Sequence, residues 1–329
     1  MTTVRIIKDW STPPIFRQTP GCTGVWDGIR FHEEDLASDY VIVLNTPLAK
    51  TTVDCAPSNL WLMIQEPPNE EVGWLHNGSR QYARMYTTDP ARKGRRVIHS
   101  QTALPWHVGK DYDTLKTVGP AEKTGSLSWI TSSKNDTSGH QVRMTFLERL
   151  RARDLPFDLF GRGFTPIGDK WDGLAHHKYS LAIENCSTPY YWTEKISDCF
   201  LSWTMPIYYG CTRIFDYFPP ESMAQIDIND PDAPAMVADI IHSERWKKNM
   251  DAIEYARNKV LDEYQIFPFL RNEILRHRER NASNSRAKSW ILQPTAQPVS
   301  PITKLKNKLG RFKLYQYVRE IYRNAASRR

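Results

Sequence analysis

The sequence predicts an α/β protein of two domains, each built on a parallel sheet. Three observations carry that expectation. The chain has 329 residues, and domains of roughly 100–200 residues make two the natural division. Tyr40-Val41-Ile42-Val43-Leu44 and Leu60-Trp61-Leu62-Met63-Ile64 are short apolar runs bounded by polar or turn residues, the pattern of strands buried on both faces. Residues 179–210 read as strand, loop, helix and strand in succession, the repeating unit of a parallel α/β domain. A polar stretch from Lys116 to Gly125, holding Gly119-Pro120, separates the halves. The expected organisation is an N-terminal α/β domain over 1–122 and a C-terminal α/β domain over 123–290. A proline-containing linker and basic tail follow over 291–329.

After that boundary, Ser126–Thr131 begins a strand. Gln141–Arg153 has helical spacing, with Val142, Phe146, Leu147 and Leu150 on one face, and Phe157–Phe160 is a strand ended by Gly161. Tyr179–Ile183 is the next strand and Glu184–Tyr191 a loop. Thr193–Trp203 is a helix with Ile196, Phe200 and Trp203 on one stripe, and Met205–Tyr209 is a strand stopped by Gly210. Further helices are expected over Ser243–Arg257 and Arg271–Arg280, and Asn281–Pro301 reads as linker. Ligands of parallel sheets bind beyond the carboxyl ends of the strands, near helix N-termini. The polar cluster Glu184, Asn185, Tyr191, Glu194 and Lys195 falls there.

Composition narrows the function. With 40% hydrophobic and 25% charged residues the chain is not wholesale disordered. No apolar run approaches the ~18 residues of a membrane span. The first twenty residues, with Lys8, Asp9, Pro13 and Pro14, lack a signal-peptide core. Five scattered cysteines with no CxxC pair fit reduced thiols better than a disulfide frame or zinc site. The net charge of +7 is local. Residues 303–329 hold nine basic side chains against one acid, Glu320, so the other 302 residues carry a net −1. The folded body is therefore not expected to bind nucleic acid.

The ordered set Tyr179-Ser180-Leu181-Ala182-Ile183-Glu184-Asn185, Tyr191-Trp192-Thr193-Glu194-Lys195 and Pro206-Ile207-Tyr208-Tyr209-Gly210 resembles the C-terminal signature of family 10 glycosyltransferases, the inverting α-1,3/4-fucosyltransferases that use GDP-fucose. Ile183 stands where the family usually has Phe. The clear resemblance spans about residues 126–220, with a weaker one over 58–100. It implies a GT-B arrangement, two Rossmann-like domains facing a cleft, the N-terminal domain for the acceptor and the C-terminal one for GDP-fucose. By the same resemblance Arg143 and Lys195 contact the diphosphate, Glu194 the ribose hydroxyls, and Asn185 and Tyr191 lie along the donor, with Glu184 in the same donor cluster. The residues themselves support this chemistry. A diphosphate leaving group needs cations in its transition state. Lys195 sits in the first turn of a helix whose N-terminus adds partial positive charge, and Arg143 can offer a planar fork. A solvated Glu-Lys pair and a surface helix arginine are the plain alternatives.

Transfer with inversion also needs a base for the acceptor hydroxyl. Gln65-Glu66-Pro67-Pro68 directly follows the strand 60–64, so Glu66 is the candidate. It is similar to the glutamate motif of the family's N-terminal domain, where that residue is the proposed base. Glu70 and Glu71 compete for the role, and a solvated or helix-capping carboxylate is the bland alternative. No obligatory cofactor or metal site is expected, and a divalent cation is expected at most to stimulate. Asp111-Tyr112-Asp113 and Asp230-Pro231-Asp232 match a metal-binding pattern of another glycosyltransferase class, but both lie in loop-like sequence. Four Asn-x-Ser/Thr sequons, one at Asn185, read as chance.

In the tail Leu305, Leu309, Phe312, Tyr315 and Tyr322 recur at helical spacing among the basic residues. A membrane-surface helix, a helix docked on its own protein and a nucleic-acid arm all fit that pattern. The resemblance favours the first, since bacterial members carry basic amphipathic C-termini. The expected setting is the cytoplasmic face of the membrane, with an anionic bilayer bound through 303–329 and an acceptor on lipid-linked or lipopolysaccharide glycan. Another GDP-sugar as donor, or a catalytically inactive glycan- or nucleotide-binding protein, are the rival readings.

Overall fold

The computed structural model describes residues 1–69, 71–280 and 286–297. The chain enters on β1 (Thr2–Lys8), followed by β2 (Val25–Trp26), β3 (Ile29–His32), β4 (Tyr40–Leu44), β5 (Thr51–Cys55), β6 (Leu60–Met63), β7 (Arg84–Thr87) and β8 (Val97–His99). Seven of these eight strands form one sheet in the order β2-β3-β1-β4-β6-β7-β8. All neighbours are parallel except the short β2–β3 pair. Every residue of β4 and β6 is buried, as their unbroken apolar runs require in a sheet covered on both faces.

The second sheet follows α1 (Tyr112–Thr117) and runs through β9 (Gly125–Ile130), β10 (Asp158–Phe160), β11 (His177–Ile183), β12 (Met205–Tyr209) and β13 (Ala224–Gln225). Its order is β10-β9-β11-β12-β13, parallel throughout. α2 (Ser138–Ala152) follows β9, α3 (Lys170–Leu174) precedes β11, and α4 (Glu194–Leu201) links β11 to β12. On α2 the buried positions are Arg143, Phe146, Leu147 and Leu150. That is the predicted stripe with a cation on it and with Val142 half-buried at its margin.

Three sequence expectations change. After α5 (Ala233–His242), which was not expected, the single helix over Ser243–Arg257 is divided between α6 (Arg245–Lys248) and α7 (Met250–Lys259). The breaks fall at Glu244, with φ 52°, and at Asn249, which adopts non-helical angles. The charged helix begins earlier, as α8 (Ile266–Arg280), and is not a solvated rod. Ile266, Phe267, Leu270 and Ile274 join the core of the first sheet with Ile6, Phe31, Tyr40 and Trp61. Within the stretch read as linker, β14 (Lys288–Leu292) pairs antiparallel with β5. α8 and β14, assigned from sequence to the second domain and linker, thus pack on the core of the first sheet and on β5. Met1–Pro294 makes one compact unit. The basic tail expected at 303–329 and the competing Glu70 lie outside the described residues.

β1 was not foreseen. Its Thr-Thr-Val-Arg-Ile-Ile-Lys run is interrupted by a cation, yet Arg5 is buried, paired with Asp35 and donating to the Thr52 carbonyl at 3.0 Å. A charged group can occupy such a strand only when paired in this way.

Candidate functional site

In each sheet the first strand has its sequential successors on opposite sides, which opens a crevice at its carboxyl end. In the second sheet that switch point lies between β9 and β11. A pocket of about 470 Å³ opens there, lined by Thr131 and Ser132 after β9, Ile183 and Asn185 at the end of β11, and side chains from α2, α3 and α4. Its basic lining residues are Lys134, Arg143, Arg162, Lys170 and Lys195, against the one acid Glu194. This is an anion site by charge as well as by position.

The loop after β11 is held from within. Glu184 is 1% exposed. It accepts the Thr193 N–H at 2.8 Å, the Thr193 hydroxyl at 2.9 Å and the Lys195 ammonium at 3.0 Å. Thr193 in turn caps α4. Gly210 makes room for this carboxylate. Its φ is +154°, and a Cβ there would collide with the Glu184 side chain. The signature's Glu, Thr-Glu-Lys and Gly therefore form one packed unit. The ammonium of Lys195 is shared with Glu194, 3.7 Å away. Burial works against the charge on Lys195, but these two carboxylates outweigh it and hold the group protonated. Burial likewise opposes ionisation of Glu194, yet Lys195, Lys170 and His107 hold its carboxyl well below the ordinary range.

Arg143 comes from the first turns of α2. Gly139, in that first turn, lies so close to the Asn185 carbonyl that a Cβ could not fit, which seats the helix N-terminus directly on the β11 loop. One Nη of Arg143 donates to Asn185 Oδ1 at 2.8 Å. Its Nε and other Nη are buried and, among the described residues, have no partner. Buried guanidinium donors are costly to leave unpaired, so this pocket is prepared for an acceptor-rich guest. Tyr191, 3% exposed, lies within electrostatic reach of Glu184, Glu194 and Glu66.

Glu66 follows β6 at its carboxyl end and is exposed, while Gln65 beside it is buried. Surrounding protein nevertheless raises the Glu66 carboxyl above its ordinary value, by desolvation first and then by the nearby charge of Asp9, with Lys195 opposing. Lys195 and Glu194, at the cationic pocket, are near enough to act on the charge of Glu66. The structure thus brings Arg143, Glu184, Asn185, Tyr191, Glu194, Lys195 and Glu66 into one region. Arg143, Asn185, Glu194 and Lys195 line the pocket, whereas Glu184, Tyr191 and Glu66 do not; Glu184 is a buried partner of Thr193 and Lys195.

Sequence reasoning missed Lys134, Arg162, Lys170, His107 and His140, all of which line the pocket. Lys134 and Arg162 follow the ends of β9 and β10, so the rule that selected Glu66 would have reached them. Gly161 and Gly163 flank Arg162 with φ of +116° and +86°, and Cβ atoms there would strike the Thr131 carbonyl and Ser133. Lys170 contacts Asp198 at 3.0 Å and Glu194 at 3.4 Å, a pairing with no local sequence signal. The Asp-x-Asp residues have structural roles. Asp111 caps α1 through Thr114, Asp113 accepts from the Gly21 N–H, and Asp230 accepts from the Asp232 N–H.

Residues 120–255 match the family model described as glycosyltransferase family 10 (fucosyltransferase) C-term. A 3-galactosyl-N-acetylglucosaminide 4-alpha-L-fucosyltransferase of Bos taurus is 28% identical over 128 residues, 37% of this chain and 33% of its own. A human 4-galactosyl-N-acetylglucosaminide 3-alpha-L-fucosyltransferase is 29% identical over 110 residues, 32% of this chain and 30% of its own. The chain thus spans about a third of the length of the curated relatives it matches. A glycosyltransferase structure from Rickettsia africae covers 86% of this chain and 99% of its own, with a TM-score of 0.51 at 11% identity, a likeness of fold alone. The segment matched by the family model, residues 120–255, holds the packed Glu184–Thr193–Lys195–Gly210 unit and Arg143, and over that segment the chain is similar to the fucosyltransferase C-terminal domain of glycosyltransferase family 10.

Proposed function

We propose that the chain transfers L-fucose from GDP-fucose to a glycan hydroxyl, of GlcNAc or Glc type and with α-1,3 linkage, inverting the anomeric centre. Glu66 takes the proton of the acceptor hydroxyl. The oxygen attacks C1 of the fucose, and the C1–O bond to the β-phosphate breaks on the opposite face, its electron pair leaving on the diphosphate. Arg143 and Lys195, with the N-terminus of α4, stabilise that developing charge. Glu194 accepts from the ribose hydroxyls, and Asn185 and Tyr191 line the donor. The observation that carries the reading is the buried guanidinium edge of Arg143, unpartnered among the described residues, in a pocket of five cations, with the Glu66 carboxylate, of raised proton affinity, within electrostatic reach of Lys195.

The acceptor in this reading is lipid-linked or lipopolysaccharide glycan, met at the cytoplasmic membrane face through the basic residues of 303–329. Support for that setting is their charge in the sequence; no helix among the described residues is long and apolar enough to cross a membrane. Calorimetry with GDP, GDP-fucose and other GDP-sugars tests the donor. GDP binding with preference for the fucosyl donor is expected. No binding at millimolar GDP overturns the reading, and preference for another GDP-sugar replaces the donor.

A further inference from the structure

Outside 303–329 the chain sums to a net −1, yet its charge is not evenly spread. Residues 80–96 hold six basic side chains, Arg80, Arg84, Arg92, Lys93, Arg95 and Arg96, against one acid, Asp89. A pocket of about 410 Å³ opens among them, lined by all of these cations but Arg84, with Met85 and Val97 between them. Asp89 is taken by Arg92 at 2.9 Å. Arg80, Lys93, Arg95 and Arg96 are exposed, and among the described residues they have no ion-pair partner. Four unneutralised cations on one small surface form a local positive field on a body that is otherwise near neutral.

The backbone holds this cluster together. The chain reverses at Gly94, with φ +132°, and the Val97 N–H donates to the Gly94 carbonyl at 3.1 Å. The Arg96 carbonyl accepts the Met85 N–H at 2.8 Å, and one Nη of Arg96 donates to the Arg80 carbonyl at 3.3 Å. β6, β7 and β8 are parallel. Arg95 and Arg96 directly precede β8 and Glu66 follows β6, so these cations stand at the amino end of the sheet and Glu66 at its carboxyl end. Gln81, next to Arg80, exchanges two hydrogen bonds with Gln293: the Gln293 N–H donates to Gln81 Oε1 at 2.9 Å, and Gln81 Nε2 donates to the Gln293 carbonyl at 3.2 Å. The chain that continues toward the nine basic residues of 303–329 is therefore tied down at the edge of this patch.

We infer that Arg80, Lys93, Arg95 and Arg96 form a docking surface for the phosphate headgroups of an anionic bilayer, so that the folded body itself contributes to membrane binding. Nucleic acid is the less favoured polyanion. The one ring lining the pocket is the His76 imidazole, which is buried and engaged with the Thr87 hydroxyl at 2.9 Å, so bases have no platform on which to stack. The test is flotation of the full chain with vesicles of phosphatidylcholine and phosphatidylglycerol at about two to one, and of phosphatidylcholine alone, at rising salt. Wild type should float with the anionic vesicles only, and less as salt rises. Lys93→Glu with Arg95→Glu should weaken that binding about thirtyfold or more, equivalent to about 1 kcal/mol for each lost basic contact. Lys247→Glu with Lys248→Glu, at exposed positions of α6, changes the net charge equally and should cost less than about threefold, because charges away from the contact are screened. Tm should be the same in all variants. Equal losses in the two pairs, an undiminished patch variant, or stronger binding of duplex DNA that the same patch variant loses overturns the inference. Choosing a bilayer as partner rests on the membrane setting proposed for 303–329, and Lys306→Glu with Lys308→Glu separates the two. Loss there without loss at Lys93 and Arg95 overturns the patch and leaves the tail; the reverse leaves the patch and overturns the tail. No flotation of wild type overturns both.

Discussion

Lys195 has two partners in the protein before any donor arrives, and that makes its removal a test of the whole donor-site architecture. The Glu184 side chain is 0% exposed and Lys195 21%. Lys195→Met leaves the carboxylate buried with only the Thr193 N–H and hydroxyl. Breaking a buried pair on one side costs about 3–5 kcal/mol. Lys195 keeps a fifth of its surface in water, so the lower end, about 3 kcal/mol, applies. In a domain of this size that is roughly 6–12 °C in Tm at about 2–4 °C per kcal/mol. Glu184→Gln together with Lys195→Met removes the stranded charge and keeps the Thr193 contacts. It should recover most of the lost stability in urea melts. Donor use should not recover, because the cation facing the diphosphate is still missing, and loss of such a group costs about 10²–10³ in kcat. A Lys195→Met variant within about 1 kcal/mol of wild type, or a double variant no more stable than the single one, would refute the reasoning.

Glu66→Gln should lower kcat by about 10²–10⁴ with GDP affinity and Tm unchanged; kcat within a few-fold would move attention to Glu71. Because a base works only when unprotonated and Glu66 is raised by burial and by Asp9, the acid limb of the pH profile should lie above the ordinary glutamate value of about 4.3. Asp9→Asn should shift that limb down, and an unmoved limb would detach Asp9 from the base. Gly210→Ala forces a side chain into a left-handed backbone and against Glu184, so urea melts should show a loss of about 2 kcal/mol or more; a smaller loss would mean the collision is relieved elsewhere. Activity is expected to persist in EDTA, and complete loss restored by Mn²⁺ and abolished by Asp111→Ala or Asp230→Ala would overturn the cation-only account. Deleting 303–329 should abolish flotation with anionic liposomes at low salt, since each basic residue near such a surface contributes about 1 kcal/mol; equal flotation of both forms would reject the anchor.

The second sheet was legible because residues 179–210 read as strand, loop, helix and strand in succession and the signature is punctuated at fixed spacing. What each signature residue does was less legible. Glu184 looked like a donor ligand, but its neighbours in space, Thr193, Lys195 and Gly210, make it the site's internal anchor. Lys170 was invisible because its partners Glu194 and Asp198 are more than twenty residues away. The first sheet was harder for a physical reason: the residues that complete it are distant in sequence. β1 carries a buried arginine whose partners lie on later loops. α8 hides four apolar contacts among the charges that dominate its composition. β14 is short and gains its identity only from pairing with β5.

The central claim is tested most directly by incubating the full chain with GDP-[¹⁴C]fucose and a panel of neutral GlcNAc- and Glc-terminated oligosaccharides, and counting label in the glycan fraction. The account predicts label transferred to at least one acceptor, with GDP released in equal amount, and both lost in Arg143→Ala. GDP-fucose left intact with every acceptor, by protein that is folded and binds GDP, would contradict it.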